Sequence, residues 1–313
     1  MSKVSKALQQ AARDRALARS PRSAEPAETV DVPLRAASPA VTLRPAESFG
    51  HAPAPWEPDG IESHLVSLLD PASFEAEQYQ TLRHMVEEAH RADQLSILAV
   101  SAPSVGDGKT TTAINLAGAL AQTPGTRVLL VDADLRRPAV RLRLALDAAG
   151  RGLVDAILDP ALSLSDVVQR RPPFNLSVLP AGPQTASPYE LLKSPRFGQL
   201  LDEARRQFDY VVLDTPPLVP IPDCRIIAKH VDAFLLVVTA HKTAVGLFDE
   251  ALGALAPSSV LALVFNASDY AARYSAASGQ SRATNGHRPW YLGGMVTDRL
   301  LGGRAAHDPR EDA

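Results

Sequence analysis

Apolar positions in the middle of this chain fall into short, nearly continuous blocks separated by longer stretches of helical periodicity. The blocks at 95–101, 127–133, 174–179, 209–214, 233–240 and 259–266 read as strands. Val128-Leu-Leu-Val131 and Val211-Val-Leu213 contain no polar residue, as a strand covered on both faces requires. Helical patterns stand between most of the blocks. This alternation predicts an α/β fold with a mainly parallel sheet and helices on both faces. Ahead of the first strand, Asp70-Pro71 reads as an N-cap followed by a first-turn proline. The helix it opens is predicted to run to about Arg91, with Leu82, Met85, Val86 and Ala89 as its apolar stripe.

The two ends have a different texture. Residues 1–60 include eight prolines between Pro21 and Pro58, mixed with Ala, Ser and Glu, a composition that buries too little apolar surface to offset chain entropy. Disorder is expected there, except for a short helix over residues 1 to about 19 suggested by the spacing of Val4, Leu8, Ala11 or Ala12, and Ala16. Residues 1–24 carry Lys3, Lys6, Arg13, Arg15, Arg19 and Arg22 against the single acid Asp14. That charge run suits either an anchor to an anionic face or partner, or a solvated tail. Residues 269–313 return to Gly, Ser, Arg and Asp and read as a flexible tail, which leaves 61–268 as the folded domain. A net charge of -3 gives no global basic field, so no nucleic-acid partner is expected. The lone Cys224 excludes an internal disulfide framework and suits a reducing cytoplasm. No apolar run approaches the roughly 18 residues of a membrane span, and no leader is visible. No Cys/His spacing suggests a metal site.

Chemistry enters after the first strand. Ser101-Ala-Pro-Ser-Val-Gly106-Asp107-Gly108-Lys109-Thr110 lies between the strand and a helical pattern that starts at Thr111. Strand, glycine-bearing turn, Gly-Lys-Thr and helix form the context of a P-loop, although Pro103 stands where the first glycine usually falls. Gly106 and Gly108 let the backbone curl so that its amides, Asp107 and Thr111 included, face phosphate oxygens. Lys109 is positioned to reach the β- and γ-phosphates of ATP, and the Thr110 hydroxyl to bind Mg²⁺. Acidic partners belong at the C-terminal ends of neighbouring strands, where the ligand crevice of such a sheet lies. Two strands end that way, in Asp132-Ala-Asp134-Leu-Arg136-Arg137-Pro138 and in Asp214-Thr215-Pro216-Pro217. Asp214 and Asp134 are candidate Mg²⁺ ligands, and Asp132 is a candidate acceptor of a proton from an incoming hydroxyl. Arg136 and Arg137 either neutralise phosphate charge or form surface ion pairs.

Taken together, these residues resemble the bacterial tyrosine kinases of capsule and exopolysaccharide synthesis, which are P-loop relatives of the MinD/ParA ATPases. The resemblance covers about residues 61–268. Its most specific part is the Asp132 to Pro138 stretch, and Phe208-Asp-Tyr-Val-Val-Leu-Asp214-Thr-Pro-Pro217 extends it. Ser104 stands where MinD-like proteins carry a signature lysine, which favours the kinase branch. The resemblance implies a three-layer P-loop NTPase fold and an ATP- and Mg²⁺-dependent tyrosine autokinase that acts between subunits. It further implies a ring-forming homo-oligomer activated by a membrane chain-length determinant (a polysaccharide co-polymerase), which would hold the kinase at the inner face of the cell membrane. With no span in this chain, that partner is expected to be a separate polypeptide. Two departures stand out. The family's Glu-x-x-Arg-x-x-Arg ring contact reads Glu77, Gln80, Arg83 here, and the terminal tyrosine cluster shrinks to Tyr270, Tyr274 and Tyr291 as candidate acceptors. Two other readings stay open: a MinD/ParA-type positioning ATPase switch without kinase activity, and a nucleotide-sensing module with little turnover.

Overall fold

The structure is a computed structural model, and it describes residues 60–255 and 259–266. Expectations for the N-terminal segment and for the tail with Tyr270, Tyr274 and Tyr291 lie outside the described residues.

The chain enters through a short helix, α1 (Val66–Leu69), and a long one, α2 (Phe74–Asp93). It then alternates through β1 (Ile97–Ser101), α3 (Lys109–Ala121), β2 (Val128–Asp132) and three short helices, α4 (Val140–Arg143), α5 (Leu153–Leu158) and α6 (Leu164–Val167). Next come β3 (Gln169–Arg170), β4 (Leu176–Leu179), α7 (Pro188–Lys193), α8 (Pro195–Gln207), β5 (Tyr210–Asp214) and α9 (Asp223–Ile227). β6 (Ala233–Thr239), α10 (Val245–Gly253) and β7 (Val260–Asn266) complete the described elements. The strands form one sheet in the order β3-β4-β2-β5-β1-β6-β7. Every pairing is parallel except β3 with β4.

Alternation along each strand builds a core on each face of the sheet. Leu98 and Val100 of β1 join Leu130, Val212 and Leu235 in one layer beneath α2 and α3. Ile97 and Ala99 join Leu129, Val131, Leu213 and Phe234 in the other, beneath α5 and α8. Both faces are covered, which explains why β1, β2 and β5 are buried throughout and why their sequences are almost uniformly apolar. The six expected strands are present, each within about two residues of its predicted ends. The two-residue β3 carries no sequence signal of its own.

The start of α2 differs from the prediction. Ser73, not Asp70, is its N-cap: the Ser73 hydroxyl accepts from the Ala76 amide at 3.2 Å. Asp70 instead closes α1, and its carbonyl accepts a bond from the Ser73 hydroxyl at 2.7 Å. The proline at 71 thus sits in the turn between two helices. The buried stripe of α2 is Ala76, Tyr79, Leu82, Val86 and Ala89, with Met85 only partly buried.

Candidate active site

The site lies at the C-terminal ends of β1, β2 and β5. In the register of the sheet, Val100 and Asp132 both stand beside Asp214, so three strand ends converge on one place. The turn after β1 holds Gly106 at φ 85° and Gly108 at φ 96°, left-handed values that suit glycine. Lys109 then opens α3, whose free amide end faces a cleft of about 280 Å³. The cleft is lined by Gly106, Gly108, Lys109, Thr110 and Thr111 on one side and by Asp134, Arg137 and Arg143 on the other.

Asp107 turns away from this cleft. Its Oδ2 accepts bonds from the Ser104 amide at 3.0 Å and the Ser104 hydroxyl at 2.8 Å, and its Oδ1 accepts from the Thr243 hydroxyl at 2.9 Å. Its carbonyl accepts from Asn266 Nδ2 at 2.9 Å. The side chain is fully buried, so it shapes the loop from behind and offers nothing to a ligand. Pro103 takes the place of the expected first glycine in this loop, and the Asp107 bonds hold the loop to the turn after β6 and to the end of β7.

Lys109 extends to the acidic strand ends. Its Nζ lies 2.7 Å from Asp134 Oδ2 and 3.7 Å from Asp214 Oδ1. Burial would lower its pKa, but the Asp214 and Asp134 carboxylates outweigh that and hold the ammonium above the ordinary lysine value. Asp132 and Asp214 are wholly buried and contribute nothing to the cleft wall. Asp132 Oδ2 accepts the amides of Ala139 at 3.1 Å and Val140 at 3.0 Å, so this carboxylate anchors the start of α4. Its other oxygen has no partner. Burial first, and then the Asp214 charge, push the Asp132 carboxyl up to about 8. Burial likewise raises Asp214, opposed by Lys109. Neither Asp214 oxygen has a well-formed hydrogen bond, although Lys109 and the Thr110 hydroxyl face it.

Arg136 leaves the site. Its Nε and Nη2 hold Asp223 at 2.8 and 2.9 Å, a bidentate pair that ties the turn after β2 to α9. Arg137 lines the cleft in its place, and its amide donates to Asp134 Oδ1 at 3.0 Å. Arg143 was invisible to sequence reasoning, because nothing along the chain separates it from Arg141. On the face of α2, Arg83 donates to Glu87 at 2.7 Å and to the Ala119 carbonyl at 3.2 Å, and Gln80 bridges Arg83 and Gln122. Glu77 is the exposed member of that trio.

The fold and this loop define a P-loop α/β domain. A family model described as an AAA domain matches residues 95–246. The chain is 36% identical over 183 residues to the tyrosine-protein kinase YwqD of Bacillus subtilis, covering 58% of this chain and 76% of that protein. It is 30% identical over 236 residues to the succinoglycan biosynthesis transport protein ExoP of Rhizobium meliloti, covering 73% of this chain but only 30% of ExoP. Among solved structures it resembles the BceF tyrosine kinase domain, with a TM-score of 0.56 and 30% identity over 63% of this chain and 78% of that one. The chain belongs to the bacterial tyrosine-protein kinase family.

Proposed function

We propose that this chain transfers the γ-phosphoryl group of ATP to tyrosine hydroxyls on neighbouring copies of itself, as part of the control of polysaccharide chain length or export. The observation that carries the chemistry is the convergence of Asp132, Asp134 and Asp214 around the P-loop Lys109. Three carboxylates, set against one lysine and leaving buried oxygens unpartnered, form an environment that a divalent cation would neutralise. Among the described residues no group of three or more His, Cys, Asp or Glu side chains is arranged to hold a metal ion by itself. Thr110, Asp134 and Asp214 would hold Mg²⁺, and when bound it would neutralise charge developing on the phosphates.

The residues of the chain supply the rest. The loop amides from Gly106 to Thr111 bind and orient the phosphates. Lys109 exchanges Asp134 for phosphate oxygens, which frees that carboxylate. Asp132 is the proposed general base for the tyrosine hydroxyl proton; with its carboxyl raised to about 8, only the ionised fraction can accept that proton, so transfer should speed up as pH rises toward that value. Tyr270, Tyr274 and Tyr291 are the proposed acceptors. A ring of copies through the face carrying Glu77, and activation by a separate membrane chain-length protein that places the kinase at the inner membrane face, extend the same reading. Among the described residues no helix is long and apolar enough to cross a membrane.

The test is phosphotyrosine mapping by mass spectrometry after incubation with Mg²⁺ and ATP, with and without the cytoplasmic part of such a membrane protein. Phosphotyrosine that disappears in both Lys109→Ala and Asp132→Asn is the expected result. ATP hydrolysis with no modified tyrosine, even with the activator, would replace the kinase reading with a positioning switch.

A further inference from the structure

Arg143 occupies a place in the cleft that the reading above does not use. Its position is set from below. The buried Asp132 carboxylate accepts the amides of Ala139 and Val140, which pins the one-turn α4, and Val140 is wholly buried beside it. At the other end of that turn, Arg143 reaches back across the cleft, and its Nη1 donates to the Thr111 hydroxyl at 2.7 Å. Thr111 belongs to the first turn of α3, among the amides that cradle the α- and β-phosphates in a P-loop. Lys109 points elsewhere, to Asp134 and Asp214. The cleft wall carries Lys109, Arg137 and Arg143 against the single carboxylate of Asp134, a balance suited to an anion.

Arg143 also has a competitor. Glu62, in the segment leading to α1, places Oε2 3.3 Å from Arg143 Nη1 and 3.4 Å from His64 Nε2. The Glu62 amide donates to the Arg143 carbonyl at 3.2 Å, which keeps the two residues together. Both side chains of the Glu62–Arg143 pair are roughly a third exposed, at 35% and 27%. An ion pair so placed adds little to stability, and a surface role gives no reason for Arg143 to face the loop.

We propose that Arg143 is a phosphate-binding residue of the nucleotide site, engaging the phosphates common to ADP and ATP, and that Glu62 holds it in reserve by competing for its guanidinium. This rests on the P-loop of the proposed function being a nucleotide site.

The test is isothermal titration of the full chain with Mg²⁺-ADP and with a non-hydrolysable Mg²⁺-ATP analogue. Arg143→Ala should weaken both about ten-fold, with Arg143→Lys between it and the parent. Glu62→Gln should tighten both by about three-fold, because the competitor's charge is gone. Melting temperatures should stay within about 2 °C of the parent, so that lost binding is not lost folding. A purely structural pair would move affinity in the same direction in both variants, and that result overturns the proposal. So does unchanged affinity in Arg143→Ala, or loss confined to the ATP analogue. If the parent chain binds neither nucleotide, the site reading itself falls, and this inference falls with it.

Discussion

Single side chains here do work that their position in a motif does not announce. Asp107 looks like one more phosphate-loop residue, yet its carboxylate accepts three bonds from Ser104 and Thr243 on the far side of the loop. Asp107→Ala should therefore cost about 2–4 kcal/mol of stability in chemical denaturation and weaken ADP binding at least about ten-fold, although no atom of its side chain would touch the ligand. Asp132 makes a second prediction. Burial, and then Asp214, raise its carboxyl to about 8, well above the roughly 3.9 of an unfolded aspartate. The folded chain thus keeps a proton that the unfolded chain has lost, so this group's contribution favours folding at low pH and fades as pH rises toward 8. Denaturation midpoints of the ligand-free chain should fall between about pH 5 and pH 8, and Asp132→Asn should flatten that slope while keeping the acceptor toward Ala139 and Val140. A parallel slope in the variant would show that the proton resides elsewhere. The roles of Asp107, Arg136 and Arg143 were not legible in the sequence for one shared reason. A motif places a backbone, but the direction of a side chain is settled by partners that lie 136, 87 and 32 residues away.

Strands and helices were the most legible part. Near-continuous apolar blocks mark strands buried on both faces, and the sheet supplies that burial through two core layers. Helix starts were less so. Asp70-Pro71 and Ser73 both have cap chemistry, and the choice falls to Ser73 because α1 claims Asp70 as its own end. Ser73→Ala should cost about 1 kcal/mol in thermal or chemical unfolding, for loss of the bond to the Ala76 amide. Asp70→Ala should cost clearly less, since Asp70 accepts from Ser73 through its backbone carbonyl, which the substitution keeps. The reverse order would restore the start predicted from the sequence. The two-residue β3 was illegible because so short a strand has no periodicity to read. It is recruited by pairing with β4 alone.

The assembled sheet explains why one place serves phosphate chemistry. Parallel pairing of β1, β5 and β2 brings the P-loop, Asp214 and Asp132 to the same edge, though they are far apart along the chain. That convergence was readable from the sequence as three apolar strands, each ending in polar residues. The proposed acceptors Tyr270, Tyr274 and Tyr291 are to be modified, on the proposed reading, by a neighbouring copy of the chain, so the test needs two kinds of copy. The most direct measurement mixes two variants with Mg²⁺ and γ-labelled ATP. Lys109→Ala supplies tails but cannot transfer, and a Tyr270, Tyr274 and Tyr291→Phe triple variant transfers but offers no proposed acceptor. The account predicts that label enters tail tyrosines of the Lys109→Ala chain only when the triple variant is present. ATP hydrolysis by the triple variant that leaves both chains unlabelled would contradict it.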